Sequence, residues 1–236
     1  MPHRGVLISF EGVEGSGKST HARRLSDRLT ERGIATVLTH EPGGTALGEW
    51  VRRLLLARPD ALLDGAALPS PAVELGAVEE FLLFSVARAR LVNEVIRPRL
   101  EQAFVVVVDR YYHSSYAYQS AGGLEVSWMR EVTARVVGEC VPDLVILLDL
   151  PAELGLARNH AESPGKPADR FEMRELGFHR RVREAYVKLA SEEPERMEVV
   201  DATGEADAVF DRLAGIAEKL LAARGWKLQE APQRRP

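Results

Sequence analysis

Cysteine is nearly missing from this chain. Cys140 stands alone among 236 residues, so no internal disulfide can form, and a reducing compartment fits. With one cysteine and six scattered histidines, the ligands for a structural zinc site are lacking too. Long hydrophobic runs are absent: no stretch approaches 18 apolar residues, and no basic-then-apolar leader opens the chain. The expectation is a soluble, cytoplasmic protein that is neither exported nor held in a membrane. An excess of positive charge is also missing. Basic residues number 31 against 35 acidic ones, a formal net charge of −4, which argues against a protein that coats nucleic acid or an anionic membrane. Lysine is scarce, with 5 of the 31 basic residues. Any lysine at a motif position is therefore informative.

What is present suits one globular domain with a core large enough to need no staples. Hydrophobic residues make up 45% and charged residues 28% of the chain. Short β-rich runs recur at 6–10, 35–38, 104–108, 144–148 and, more weakly, 197–200. Unbroken runs of this kind fit strands buried on both faces, and the helical stretches between them predict an α/β fold around a parallel sheet. Helices are expected at 18–32, 46–57, from the Ser70-Pro71 start to Arg97 before Pro98, and at 125–139, 174–191 and 205–224. The stretches 58–69 and 159–168 read as loops, the second polar and mobile with Gly165, Pro164 and Pro167. The domain is expected to cover 1–228, with a mobile lid at about 158–172 and a disordered tail at 229–236.

The strongest signal is Gly12-Val13-Glu14-Gly15-Ser16-Gly17-Lys18-Ser19-Thr20. Its first eight residues match G-x-x-x-x-G-K-[ST] between a strand and a helix. Chance predicts roughly 0.003 such matches in a chain of this composition. Glycines let backbone N–H groups converge on phosphate oxygens, and the helix N-terminus adds the positive end of its dipole. Lys18 supplies a compact charge, and the Ser19 hydroxyl suits Mg2+. The chain binds a nucleoside triphosphate on this reading. It lacks the Asn-Lys-x-Asp segment of a GTPase and the Leu-Ser-Gly-Gly-Gln of a transporter ATPase. A small kinase remains. Asp109-Arg110-Tyr111 closes the valine strand, where ligands bind in open α/β sheets. Asp109 is positioned to join the magnesium shell and Arg110 to clamp a phosphate.

Four segments, in this order, carry a resemblance: 10–20, Glu41-Pro42-Gly43-Gly44-Thr45, Asp109-Arg110-Tyr111 with Ser114 to Gln119, and Asp169-Arg170-Phe171-Glu172. Together they resemble the thymidylate kinase family over about residues 5 to 222. The resemblance implies a three-layer P-loop kinase fold with sheet order 2-3-1-4-5, and a homodimer formed through helices. It implies transfer of the ATP γ-phosphate to dTMP with Mg2+. It puts Glu14 near the sugar 3′-hydroxyl, Glu41 and Pro42 in the acceptor site, and Arg52 and Arg110 on the dTMP phosphate. Phe84 would stack on thymine and Arg88, one turn on, would bond a thymine carbonyl. Ser115 and Gln119 would read base or phosphate, and Tyr118 would crowd the 2′ position. With no arginine in the phosphate loop, the catalytic basic groups are expected from the lid: Arg158, Arg170 and, more weakly, Lys166. Here the chain departs from its relatives, because Asn159, His160 and a proline-containing insertion replace an arginine-dense lid. The alternatives are a kinase for another nucleoside monophosphate or nucleoside, and a non-catalytic ATP-binding regulator.

Overall fold

The computed structural model describes residues 4–57, 75–162 and 168–229. Five strands form one parallel sheet: β1 (Val6–Gly12), β2 (Thr36–His40), β3 (Val105–Asp109), β4 (Leu144–Asp149) and β5 (Met197–Asp201). Their order is β2-β3-β1-β4-β5, as the resemblance implies. All seven residues of β1 and the four valines of β3 are buried, which explains why those runs do not alternate. Helices cover the sheet. They are α1 (Lys18–Glu31), α2 (Ala46–Leu56), α3 (Ala77–Leu91), α4 (Arg97–Glu101), α5 (Tyr112–Ala121), α6 (Val126–Val137), α7 (Ala152–Glu162), α8 (Leu176–Glu192) and α9 (Ala206–Ala223). One continuous core runs from β1 through α1, α5, α8 and α9.

The register places the site. Phe10 of β1 and His40 of β2 both pair with Asp109 of β3, so β2 and β3 end together and β1 runs two residues past them to Gly12. The segments that follow them, 12–20, 41–45 and 110–119, therefore open onto the same edge of the sheet.

Several expectations change. Pro98 does not stop a helix. The chain passes through it by a wider π-type turn over Val92–Ile96 and continues as α4, which relieves the clash a proline ring makes with a regular helical turn. The helix expected from Pro71 starts at Ala77, because Gly76 is extended at its cap (φ −76°, ψ 171°). The Ser70-Pro71 start itself and the 58–69 loop lie outside the described residues. Residues 159–162, expected as loop, complete α7. Gln229, expected in the tail, is tied to α1: its N–H donates to Arg32 O at 3.0 Å and its carbonyl accepts from Arg32 Nε at 2.9 Å. The rest of the tail lies outside the described residues. Helices α5 and α7 have no counterpart in the sequence reading.

Candidate active site

The phosphate loop is shaped by close contact as well as by glycine conformation. Gly12, Gly15 and Gly17 have φ of 145°, 67° and 85°, values that side chains rarely tolerate. A Cβ on Gly15 would lie 2.0 Å from Gly155 O of α7, and one on Gly155 would lie 2.2 Å from Glu14 O. The two glycines thus let α7 press against the loop. Lys18 turns back over it, donating from Nζ to Val13 O at 2.7 Å and to Ser16 Oγ at 3.3 Å. Burial and the nearby Arg110 pull the Lys18 pKa down to about 8, against Glu14, Asp109 and Glu11.

Arg110 follows β3 in a left-handed conformation (φ 65°). That costs a non-glycine residue roughly 1 kcal/mol or more and is held by neighbours. Its N–H donates to Phe10 O at 3.0 Å, and the next N–H, of Tyr111, to Glu11 Oε1 at 2.8 Å. Glu11 is fully buried, and its other oxygen accepts from Ser114 Oγ and Tyr186 OH at 2.6 and 3.1 Å. Burial raises its pKa. This base under the loop aims the Arg110 guanidinium at Glu14 Oε1, 2.8 Å away, which also accepts from Tyr118 OH at 2.8 Å. Burial opposes the Glu14 charge, but Arg110 and Lys18 overcome it and hold its pKa at about 2. Ser19 Oγ donates to Asp109 Oδ2, while Asp109 Oδ1 is buried and unpaired.

A second group lines the far side. Arg88 on α3 is 1% exposed. Its Nε and Nη2 meet Glu41 Oε2 at 2.9 and 2.7 Å, and Nη2 donates to Ser115 Oγ at 3.0 Å. Its Nη1 is buried and unpaired, as is Gln119 Oε1. Burial pushes Glu41 up to about 7, against the pull of Arg88. Arg52 donates to Pro42 O at 2.9 Å. Phe84 faces Phe171, with ring centroids 6.1 Å apart, and Tyr118 meets the same Phe171 edge-on at 6.0 Å.

These groups surround a cavity of about 640 Å³. It is lined by Glu14, Gly15, Gly17, Lys18, Ser19 and Thr20 on the phosphate side. Glu41, Pro42, Arg52, Phe84, Arg88, Ser115, Tyr118 and Gln119 line the other side, with Asp109 and Arg110 between. Gly12, Val13 and Ser16 shape the loop from behind the lining. Arg158 does not line the cavity. It donates to Ala202 O and Thr203 O at 2.8 and 3.1 Å, on the loop after β5. Arg170 meets Glu80 Oε1 at 2.9 Å and Leu75 O at 3.1 Å. Lys166 lies outside the described residues. His113 and His179, both buried, do not line it either.

The sequence reading missed Phe171, Asn159, Glu11 and Glu80. Asn159 and Phe171 line the cavity, and Asn159 Nδ2 donates to Glu172 Oε1 at 2.8 Å. Glu80 had a usable signal: Glu80, Phe84 and Arg88 fall on one helix face at four-residue spacing.

Comparisons with known proteins agree on one family. The family model for thymidylate kinase matches residues 10–213. A thymidylate kinase of Deinococcus radiodurans is 47% identical over 218 residues, 92% of this chain and 98% of that one. One of Roseiflexus castenholzii is 40% identical over 229 residues, 92% of this chain and 95% of that one. The crystal structure of thymidylate kinase from Ehrlichia chaffeensis superposes with a TM-score of 0.69 at 27% identity, covering 90% of this chain and 98% of that one.

Proposed function

The chain belongs to the thymidylate kinase family, and on that premise we propose how its residues move the terminal phosphate of ATP to dTMP. The activity is that of a nucleoside monophosphate kinase, giving dTDP and ADP; the reading as a kinase for another acceptor, or as a regulator, is not favoured.

One observation supports the residue assignments above the others. Of the eleven buried polar side-chain atoms without partners among the described residues, three, Asp109 Oδ1, Arg88 Nη1 and Gln119 Oε1, belong to residues lining one cavity. Buried polar atoms are normally paired, and exceptions call for an explanation. The two ligands supply it. Thymine offers a carbonyl acceptor to Arg88 Nη1 and an N3–H donor to Gln119 Oε1. The cation that accompanies ATP suits Asp109 Oδ1 beside the Ser19 hydroxyl, since Mg2+ is usually held by one or two protein oxygens plus phosphates. Asp109 and Ser19 would hold Mg2+, which would offset the negative charge of the phosphates during transfer.

The chain's own groups do the rest. Backbone N–H groups at 13–18 and the start of α1 cradle the ATP phosphates, and Lys18 adds a point charge. Arg110 and Arg52 take the acceptor phosphate, and Arg110 stays aimed by Glu14. The acceptor oxygen is already an anion, so no general base is needed. The work is to hold two polyanions in line and stabilise the transferring group. Phe84 offers a face for the base, with Phe171 closing beside it. Tyr118, pinned to Glu14, crowds the sugar C2′ and favours deoxyribose. Arg158 and Arg170 are the proposed lid arginines of the segment at about 158–172. Each reaches the phosphates only by leaving the carbonyl or carboxylate it holds. Closure would exclude the water that hydrolyses ATP.

A second copy of the chain is the proposed partner. Val78, Leu82 and Val86 stand exposed at four-residue spacing on α3, with Leu47 and Trp50 exposed on α2, an apolar face of the kind that marks an interface. Light scattering should give a dimer, and Leu82→Glu a monomer. No helix among the described residues is long and apolar enough to cross a membrane. The cytoplasm, where the nucleotide pools lie, is the proposed compartment. Calorimetry tests the base assignments: Arg88→Ala and Gln119→Ala should each weaken dTMP binding at least about tenfold and leave ATP binding near its original value. Equal weakening of both ligands would remove the two residues from the base site.

A further inference from the structure

We propose that Glu80 is a positioning residue that fixes which end of the Gln119 amide is offered to the base, and so sets the preference for thymine over cytosine. This rests on the reading of Gln119 as a base contact. Glu80 lies on α3 one turn before Phe84 and two before Arg88, and is 3% exposed. Its Oε2 accepts from Gln119 Nε2 at 3.1 Å. Its Oε1 accepts from Arg170 Nη2 at 2.9 Å and Arg174 Nη2 at 3.3 Å, so Arg174 still holds the carboxylate when Arg170 leaves it for the phosphates.

The chemistry of that contact is one-way. A carboxylate only accepts hydrogen bonds, whereas an amide has a donor end and an acceptor end. Facing Glu80, Gln119 must present its NH2. Its carbonyl end is then the one left over, buried and unpaired, on a residue that lines the cavity. The group that Gln119 has left to offer a base is therefore an acceptor. Thymine and uracil carry a hydrogen on N3 and can satisfy it. Cytosine has a lone pair at N3 and cannot, and a site whose buried polar group is left unpaired rejects that ligand strongly. The same carboxylate ties the 170–174 segment to the residue that reads the base, so the two are placed together.

Steady-state kinetics on the full chain with dTMP, dUMP and dCMP test this in the wild type, Glu80→Gln, Glu80→Asp and Gln119→Ala. A glutamine at 80 can donate or accept, so the Gln119 amide is free to turn over. In Glu80→Gln, KM for dTMP should rise about tenfold while kcat changes far less. The dTMP-over-dCMP ratio of kcat/KM should fall at least about tenfold. The dTMP-over-dUMP ratio should hold, because uracil differs only by the methyl group. Glu80→Asp, still an acceptor only, should keep the preference over dCMP even where KM rises. An unchanged dTMP-over-dCMP ratio in Glu80→Gln overturns the proposal. So does an equal loss on all three substrates, the mark of a structural side chain. If Gln119→Ala loses the preference while Glu80→Gln keeps it, Gln119 reads the base unaided and only the role of Glu80 fails. If Gln119→Ala keeps the preference, the base contact itself fails and the proposal with it.

Discussion

Arg88 Nη2 lies 2.7 Å from Glu41 Oε2, with both side chains sealed from solvent at the end of the sheet. Breaking a buried pair by removing one partner costs about 3–5 kcal/mol, because the other charge is stranded. Arg88→Ala should therefore destabilise the fold as well as raise KM for dTMP far more than for ATP. Glu41 can escape by taking a proton, since burial already pushes its pKa up to about 7 from 4.5. A group whose pKa is raised on folding gives stability at low pH and loses it as pH climbs. The loss in Arg88→Ala should thus be larger at pH 8 than at pH 6 in urea melts, and Arg88→Ala with Glu41→Gln should recover part of it. A loss that does not vary with pH would mean that Glu41 does not titrate in this range.

Lys18 is costly to the empty protein. Its pKa is pulled from 10.5 to about 8, so its charge opposes folding below pH 8, and the penalty fades between about 8 and 10.5. Lys18→Met should abolish nearly all transfer yet leave Tm at pH 7 unchanged or higher. In the wild type, kcat/KM for ATP should fall above about pH 8, when free enzyme loses the charge. Turnover at saturating ATP should persist to higher pH, because the phosphates draw the proton back. Coincident alkaline limbs in the two profiles would contradict this.

Asp109 and Ser19 share one hydrogen bond, and the other carboxylate oxygen has no partner among the described residues; it is the oxygen proposed above for the metal. Asp109→Asn keeps the shape and removes the charge. The Mg2+ concentration for half-maximal activity should rise about tenfold or more, with KM for dTMP little changed. A normal Mg2+ dependence would take Asp109 out of the metal shell.

Tyr118 and Arg110 converge on Glu14 Oε1. Shortening the aromatic residue to Tyr118→Ala should open the space beside C2′. The preference for dUMP over UMP should fall, with the monophosphate series read by ADP release. An unchanged preference would move the sugar discrimination elsewhere.

The residues that the sequence revealed are those whose chemistry is local. The phosphate loop needs glycines, a lysine and a serine in one unbroken run, and Lys18 stands out in a chain with 5 lysines. Strands β1, β3 and β4 are equally plain, since burial on both faces leaves apolar residues in nearly unbroken runs, whereas β5, partly exposed, reads more weakly. Helix α5 was hidden because Tyr112 to Gln119 is buried on nearly every side, which erases the helical period. Helix α7 was hidden because polar residues from Asn159 to Glu162 read as loop, although Gly155 packs on the phosphate loop. The distal parts of the site were legible only by resemblance. By pattern, Phe84 belongs with Phe81 in the core, yet Phe81 is fully buried and Phe84 lines the cavity. Arg88 reads as a solvated arginine until Glu41, 47 residues away, is brought to it by the ends of β2 and β3. Arg158 and Arg170 could be picked as basic groups near the site, but not the carbonyls and carboxylate they hold.

The most direct measurement is ADP release with each of dTMP, dUMP, dCMP, AMP and thymidine as the acceptor, at fixed ATP and Mg2+. The account predicts the highest kcat/KM for dTMP, less for dUMP, and far less for dCMP and AMP, with thymidine inactive because it lacks the phosphate that Arg110 and Arg52 hold. Efficient phosphorylation of thymidine or AMP, or tight ATP binding with no turnover on any of the five, would contradict it.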